Sequence, residues 1–225
     1  MPTSTFPRVG AEIAAFLLAA CCAGCDAPGE LLCDACVAQL RPSPRVVTTP
    51  RGLQVTAALG YEGVAARCIR RLKGEGETLL ARPLASALRA TLAEAAAAGT
   101  AMVPIPTSRA AFRRRGYRVP ELLVRRAGGT PVRLLAPARR TADQRGLSTE
   151  ERAENVRGSM RMRGGIRPRT IEVVLIDDVV TTGATFDEAA RVLAAAGVEV
   201  LAAIALAATP LHRRVIDNAP ATRRK

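Results

Sequence analysis

Val173-Val174-Leu175-Ile176-Asp177-Asp178-Val179-Val180-Thr181-Thr182-Gly183-Ala184-Thr185 is the stretch on which the reading of this chain turns. Its apolar opening, Val173–Ile176, predicts a strand buried on both faces, as in a parallel sheet. Two adjacent acids, Asp177 and Asp178, follow at its end. Ligands of open α/β sheets collect just beyond the carboxyl ends of strands. Paired carboxylates there accept hydrogen bonds from hydroxyls and hold a hard cation such as Mg²⁺, which favours oxygen ligands. Thr181, Thr182 and Thr185 add hydroxyls, and Gly183 permits close backbone approach. A helical pattern then begins, with Phe186, Ala189, Ala190 and Leu193 on one face and Asp187, Glu188 and Arg191 off it. The N–H groups and dipole at such a helix start favour a phosphate. Gly197 ends the helix, and Val198–Ala207 reads as the next buried strand. A plain strand–loop–helix turn would explain two acids alone, but not this whole order.

The chain has 225 residues, enough for one α/β domain with a small appendage. Hydrophobic residues make up 48% and aromatics only 3%, so the core must be built from Ala, Val, Leu and Ile. No apolar run reaches the roughly 20 residues needed to span a bilayer. The net charge of +13 is concentrated: residues 107–170 hold 17 Arg against 5 acids, a net of +12, whereas residues 1–60 balance 4 Arg with 4 acids. Such an excess suits a polyphosphate ligand or a nucleic acid, and a solvated basic surface would also produce it. Leu18-Ala19-Ala20-Cys21 has the form of a lipoprotein cleavage box, but Glu12 interrupts the apolar stretch before it and Arg8 is its sole basic side chain. An amphipathic helix over Ala11–Ala20 and a cytoplasmic protein are the expectation.

Five of the six cysteines lie between positions 21 and 36. Cys22-x-x-Cys25 and Cys33-x-x-Cys36 are two knuckles of the spacing that wraps a tetrahedral zinc ion in four thiolates. Cys21 in place of Cys22 would break that spacing. A pair of disulfides and an iron–sulfur cluster are the competing readings; a cytoplasmic location disfavours the first. A structural zinc site is the expectation, with Gly24 and Gly29 giving the turns positive φ. Cys68 sits in a helical pattern as a core residue, and His212 has no ligand-type neighbours.

Elsewhere Arg41–Arg51 reads as a linker, Gln54–Tyr61 as a strand, Val64–Leu72 and Thr78–Ala98 as helices. Ala101–Ile105 and Pro131–Leu135 read as strands and Glu121–Ala127 as a helix. Residues 136–158 are polar and turn-rich, a candidate lid, and 159–163 form a short strand. Two parts are expected: residues 1–50 with helix, knuckle and linker, and residues 51–225 as the main α/β domain.

The Val173–Thr185 stretch resembles the signature of phosphoribosyltransferases, which bind 5-phosphoribosyl-1-pyrophosphate (PRPP). The whole chain resembles the ComF (competence protein F-like) family: a four-cysteine knuckle joined to a type I phosphoribosyltransferase-like parallel sheet flanked by helices. Four features carry this in order: the paired Cys-x-x-Cys; Val103–Pro106 followed by Arg115-Gly116-Tyr117; the string Gln144, Leu147, Arg152, Asn155, Gly158; and the PRPP motif. The resemblance implies PRPP bound by Asp177, Asp178, Val179, Val180, Thr181, Thr182, Gly183, Ala184 and Thr185, with Mg²⁺ at Asp177 and Asp178. It implies zinc on Cys22, Cys25, Cys33 and Cys36. Lys73, Arg109 and Arg115 are candidate pyrophosphate contacts. Thr181 stands where 6-oxopurine transferases carry an aspartate, which disfavours that substrate class. Arg118-Val119 replace the family's usual Asn-Gln. No catalytic residue or acceptor is assigned. Partners implied are single-stranded DNA or proteins of DNA uptake and recombination, so a binding role in natural transformation stands beside transferase chemistry.

Overall fold

A computed structural model describes residues 21–95, 100–138, 156–164 and 171–210. The Ala11–Ala20 helix, His212, the Gln144-to-Asn155 part of the string that ends at Gly158, and most of the candidate lid lie outside the described residues. The elements follow in order: helix α1 (Asp34–Ala38), strands β1 (Arg45–Thr48) and β2 (Gln54–Gly60), helix α2 (Gly63–Gly74), a 3-10 turn at Thr78–Leu80, and helix α3 (Ala81–Ala95). Then come β3 (Ala101–Pro104), α4 (Arg109–Arg115), α5 (Val119–Arg126), β4 (Leu135–Pro137), β5 (Met160–Met162), β6 (Glu172–Val180), α6 (Ala184–Ala194) and β7 (Glu199–Ala208).

The central sheet runs β1-β2-β7-β6-β3. Its β2–β7, β7–β6 and β6–β3 pairs are parallel, and β1 is added antiparallel at one edge. Val173 to Ile176 are fully buried because both faces of the sheet are covered. One face packs on α2, α3 and α5 through Val174, Ile176, Ile69, Leu72, Leu84, Leu88 and Leu123. The other packs on α6 and on a two-stranded ribbon of β4 and β5, through Val173, Leu175, Phe186, Leu193, Leu134 and Met160. This is an α/β fold with a mostly parallel sheet flanked by helices.

Several elements differ from expectation. Arg45–Thr48, read as linker, is strand β1, with Val46 paired to Thr56 and Thr48 to Gln54. Its charged, Pro-flanked sequence suits an edge strand with one exposed face. The strand placed at Pro131–Leu135 lies instead at Leu135–Pro137; Pro131 makes only an isolated bridge to Met102. Helix α4 was not expected at all. Strand β6 does not stop at Ile176. Asp177, Val179 and Val180 continue the ladder opposite Ala205, Ala207 and Ala208 of β7. The two acids are therefore held on a rigid strand rather than at the start of a loop.

Candidate functional site

The carboxyl edge of β6 collects the acids. Asp178 is 8% exposed, and its Oδ1 lies 2.7 Å from Lys73 Nζ, which arrives from the last turn of α2. The Asp178 N–H donates to Asp177 Oδ1 at 2.8 Å. Burial, and then the neighbouring Asp178 carboxylate, push Asp177 well above the usual carboxylate range; the Asp178 N–H and Lys73 pull the other way without prevailing. Asp178 pairs with the ammonium, and Asp177 stands beside it as a carboxyl that a bound cation would help to ionise. This all-oxygen donor set fits a hard divalent cation.

Lys73 is positioned by Tyr117. The tyrosine hydroxyl donates to the Leu72 carbonyl in the last turn of α2, and burial raises the phenol above its ordinary range. Sequence reading singled out Tyr117 for its motif but gave it no task.

After Val180 the chain turns into α6. Gly183 precedes the helix at φ 82°, the left-handed region, and a methyl added there would overlap Thr49 Cγ2 and come within 3.0 Å of Thr49 Cβ. Thr181 and Thr182 are exposed, and Thr182 Oγ1 accepts the Ala184 N–H at 3.4 Å. Behind this loop sits the β1–β2 hairpin. Thr49 Oγ1 donates to Asp187 Oδ1 at 2.5 Å and accepts from the Leu53 N–H at 3.0 Å, while the Arg51 N–H donates to Asp187 Oδ2 at 3.1 Å.

Asp187 and Glu188 were expected off the buried face. They are only 8% and 4% exposed. The hairpin covers Asp187; Glu188 accepts from the Gly158 N–H at 2.7 Å and is forked by Arg191 at 2.8 Å. Burial alone would raise Glu188, but Arg191 and the Gly158 N–H overcome it and hold the carboxyl below its ordinary value. No local periodicity signals these partners, since Thr49 and Asp187 are 138 positions apart.

Of the predicted anion contacts, the structure brings Lys73 to the acids. Arg109 opens α4 and lines a cleft with β4 and β5. Arg115 is half-buried with Nε unpartnered among the described residues. No described contact joins Arg109 or Arg115 to Asp177 or Asp178.

The cysteines form the second candidate site. The Sγ atoms of Cys22, Cys25, Cys33 and Cys36 all lie within 4.8 Å of one another, and Cys21 is outside the group. The Cys22–Cys33 and Cys25–Cys33 sulfur separations are 3.6 and 3.7 Å. A Zn–S bond of about 2.3 Å in tetrahedral geometry requires S–S edges of about 3.8 Å, so the set fits one ion. An iron–sulfur cluster spreads its thiolates over several irons and needs a wider cage. Burial would raise the Cys22 thiol, but N–H groups of Cys33 and Gly24, each 3.4 Å from its Sγ, bring it down to about 6. Such donors favour the thiolate that binds metal. Gly24 is required here for space, not for φ: a Cβ would stand 2.5 Å from Cys36 Sγ. The positive φ values belong to Gly29 at 103° and Asp26 at 63°. Cys68 is fully buried in the core beside this group, as expected.

The knuckle is docked on α2. Arg67 Nη1 donates to the Gly24 carbonyl at 2.8 Å, and Arg71 Nη2 is 2.6 Å from Asp26 Oδ1.

Among solved structures, an adenine phosphoribosyltransferase is 15% identical over 77% of this chain and 89% of its own, with a TM-score of 0.43. The enzyme of the same name from Saccharomyces cerevisiae gives 15% over 78% and 89%, TM-score 0.42. That from Rhodothermus marinus gives 18% over 77% and 98%, TM-score 0.38. No curated protein sequence matches. The family model that matches is described as the phosphoribosyl transferase domain, and it spans residues 114–223, from the end of α4 through the whole β6–α6–β7 unit.

Proposed function

We propose that the protein binds PRPP through the β6–α6 edge, as a phosphoribosyltransferase-like member of the ComF family. The observation that carries this reading is the meeting of Lys73, Asp177 and Asp178 immediately before the Gly183 turn into α6. Asp177 and Asp178 accept hydrogen bonds from the two ribose hydroxyls. Val179 and Val180 carry the backbone into the phosphate loop. Thr181, Thr182 and Thr185, with the N–H groups at the start of α6 from Gly183 and Ala184 onward, hold the 5′-phosphate. Lys73 lies where it can meet the pyrophosphate once a cation relieves its pairing with Asp178. Asp177 and Asp178 would hold Mg²⁺, which when bound would supply charge neutralisation to the pyrophosphate. A nucleophile would displace pyrophosphate at ribose C1 through an oxocarbenium-like transition state, helped by positioning more than by acid–base chemistry. Thr181 offers no acid to a purine, so 6-oxopurines are poor acceptors. The four-cysteine knuckle holds structural zinc, and the setting is the cytoplasm.

A second reading is PRPP binding without turnover, in a protein serving DNA uptake. The exposed Thr181 at the position of a purine-assisting acid favours it. Calorimetry with PRPP, with and without Mg²⁺, on the wild type and on Asp177→Asn with Asp178→Asn tests the shared step. Mg²⁺-dependent binding that falls at least about tenfold in the double variant is expected. A wild type that binds no PRPP ends both readings. Pyrophosphate release with candidate nucleophiles then separates transfer from binding alone.

A further inference from the structure

A groove of about 330 Å³ lies between the cysteine knuckle and the helical layer of the main domain. Val37, Leu40 and Pro42, from α1 and the segment after it, form one wall, and Pro83 and Ala87 of α3 form the other. Val37 is 44% exposed, although it lies one residue from the buried Cys36. A single exposed valine is ordinary; a concave wall of apolar side chains marks an interaction site.

The chain carries an occupant of its own. Residues 1–20 lead into the knuckle and lie outside the described residues. The chain has 4 phenylalanines in 225 residues, and Phe6 and Phe16 are both in this segment. Ile13, Phe16, Leu17 and Ala20 recur at the spacing of one helical face. In so aromatic-poor a chain that stripe calls for burial, because large apolar side chains removed from water are a main source of stability. Position and charge agree with the groove. Cys22 and Cys36 bring their sulfurs within 4.8 Å of one another. The segment ends just before Cys22 and Val37 follows Cys36, so the segment joins the knuckle beside the groove wall. The groove carries one acid, Asp34, and one base, Arg41. The charged side chains of residues 1–20 are Arg8 and Glu12, so each has an opposite sign to meet.

We propose that residues 1–20 dock in this groove as an amphipathic helix, seating Ile13, Phe16 and Leu17 between α1 and α3. Docked there, the segment latches the knuckle to the main domain. The proposal stands on the groove and the sequence pattern and does not depend on PRPP binding.

The test uses the full-length protein with Phe16 replaced by the photo-crosslinking residue benzoylphenylalanine. Irradiation and peptide mapping are expected to join position 16, within one chain, to residues 37–42 or 83–87. Adducts between two chains, adducts elsewhere on the chain, or none at all overturn the proposal; the first would assign the groove to a second copy. Melting gives an independent readout. Phe16→Glu and Val37→Glu are each expected to lower the melting temperature by about 3–8 °C, and the double variant little further than the larger single effect. Val37 is exposed among the described residues, so in an uncovered groove Val37→Glu leaves melting within about 1 °C of wild type, which overturns the proposal. Co-sedimentation of the wild type with vesicles of phosphatidylcholine and phosphatidylglycerol, lost in Phe16→Glu, would put the segment on a lipid surface and overturns it as well.

Discussion

Replacing Gly183 by alanine tests how the loop between β6 and α6 is held. Two separate effects act at this position. The backbone sits at φ 82°, which costs an alanine about 1–2 kcal/mol. The new methyl also overlaps Thr49 Cγ2 and lies 3.0 Å from Thr49 Cβ, in a hairpin pinned by hydrogen bonds to Asp187. Overpacking of this kind costs about 1–3 kcal/mol. The sum, roughly 2–5 kcal/mol, corresponds to a fall of roughly 4–20 °C in melting temperature for a chain of this size. Thr49→Ser removes only Cγ2 and keeps the hydroxyl that serves Asp187 and Leu53, at a cost of about 1 kcal/mol for one buried methyl. In the double variant the overlap is relieved and the φ cost remains. The pair should therefore be about 1–2 kcal/mol more stable than the two single effects predict when added. Urea unfolding of the four proteins measures this coupling. Additivity within about 0.5 kcal/mol, or a Gly183→Ala cost below about 1 kcal/mol, would refute the packing of the hairpin on the β6–α6 loop.

Tyr117→Phe removes the hydroxyl from the Leu72 carbonyl; it should lower stability by about 1 kcal/mol and weaken PRPP binding severalfold, but less than Lys73→Ala does, as read by calorimetry. Glu188→Gln should destabilise by about 1–3 kcal/mol near neutral pH, because it removes a buried acceptor of the Arg191 fork. The Glu188 carboxyl is held below its ordinary value of 4.5, so its contribution is complete above that pH and disappears as pH falls through the lowered value; wild type and variant should converge in acid, and a gap that persists there would contradict the ion pair. Metal analysis should find close to one zinc per chain, and less than about half would count against the knuckle. Chelation should lower the melting temperature by more than roughly 10 °C and reduce PRPP affinity, since Cys22 and Cys36 belong to the core that supports α2.

What could be read from the chain was what its local pattern carries. Val173–Ile176 announces a strand buried on both faces, and Val64, Ile69 and Leu72 mark the buried side of α2. Gly197, at φ 76°, ends the helix before β7. The four clustered cysteines were legible because the x-x spacing favours Cys22 over Cys21. Long-range partners were not. Asp187 and Glu188 look like solvent-facing helix residues until Thr49, Arg51 and Gly158 arrive from distant segments. Arg45–Thr48 looks like linker until β2 supplies a ladder, which is tertiary context overriding weak local preference. The arginine excess of residues 107–170 was countable, but its convergence on one cleft depends on how β4–β5 folds back beside α4.

The two candidate sites are joined by one rigid element. The apolar side of α2 packs against Cys22, Ala23 and Cys36, and its basic side fastens the knuckle through Arg67 to Gly24 and Arg71 to Asp26. Its final turn is held by Tyr117 and delivers Lys73 to Asp178. A helix of 12 residues is stiff over its roughly 18 Å length, so the seating of its start fixes the height of its end. The knuckle therefore has a structural reason to precede the α/β domain. It completes the core under α2, and that core sets where the ammonium meets the acids. Asp178 tolerates its burial because Lys73 is there, and Asp177, with no ammonium of its own among the described residues, is left as the carboxyl whose ionisation a bound cation would favour most.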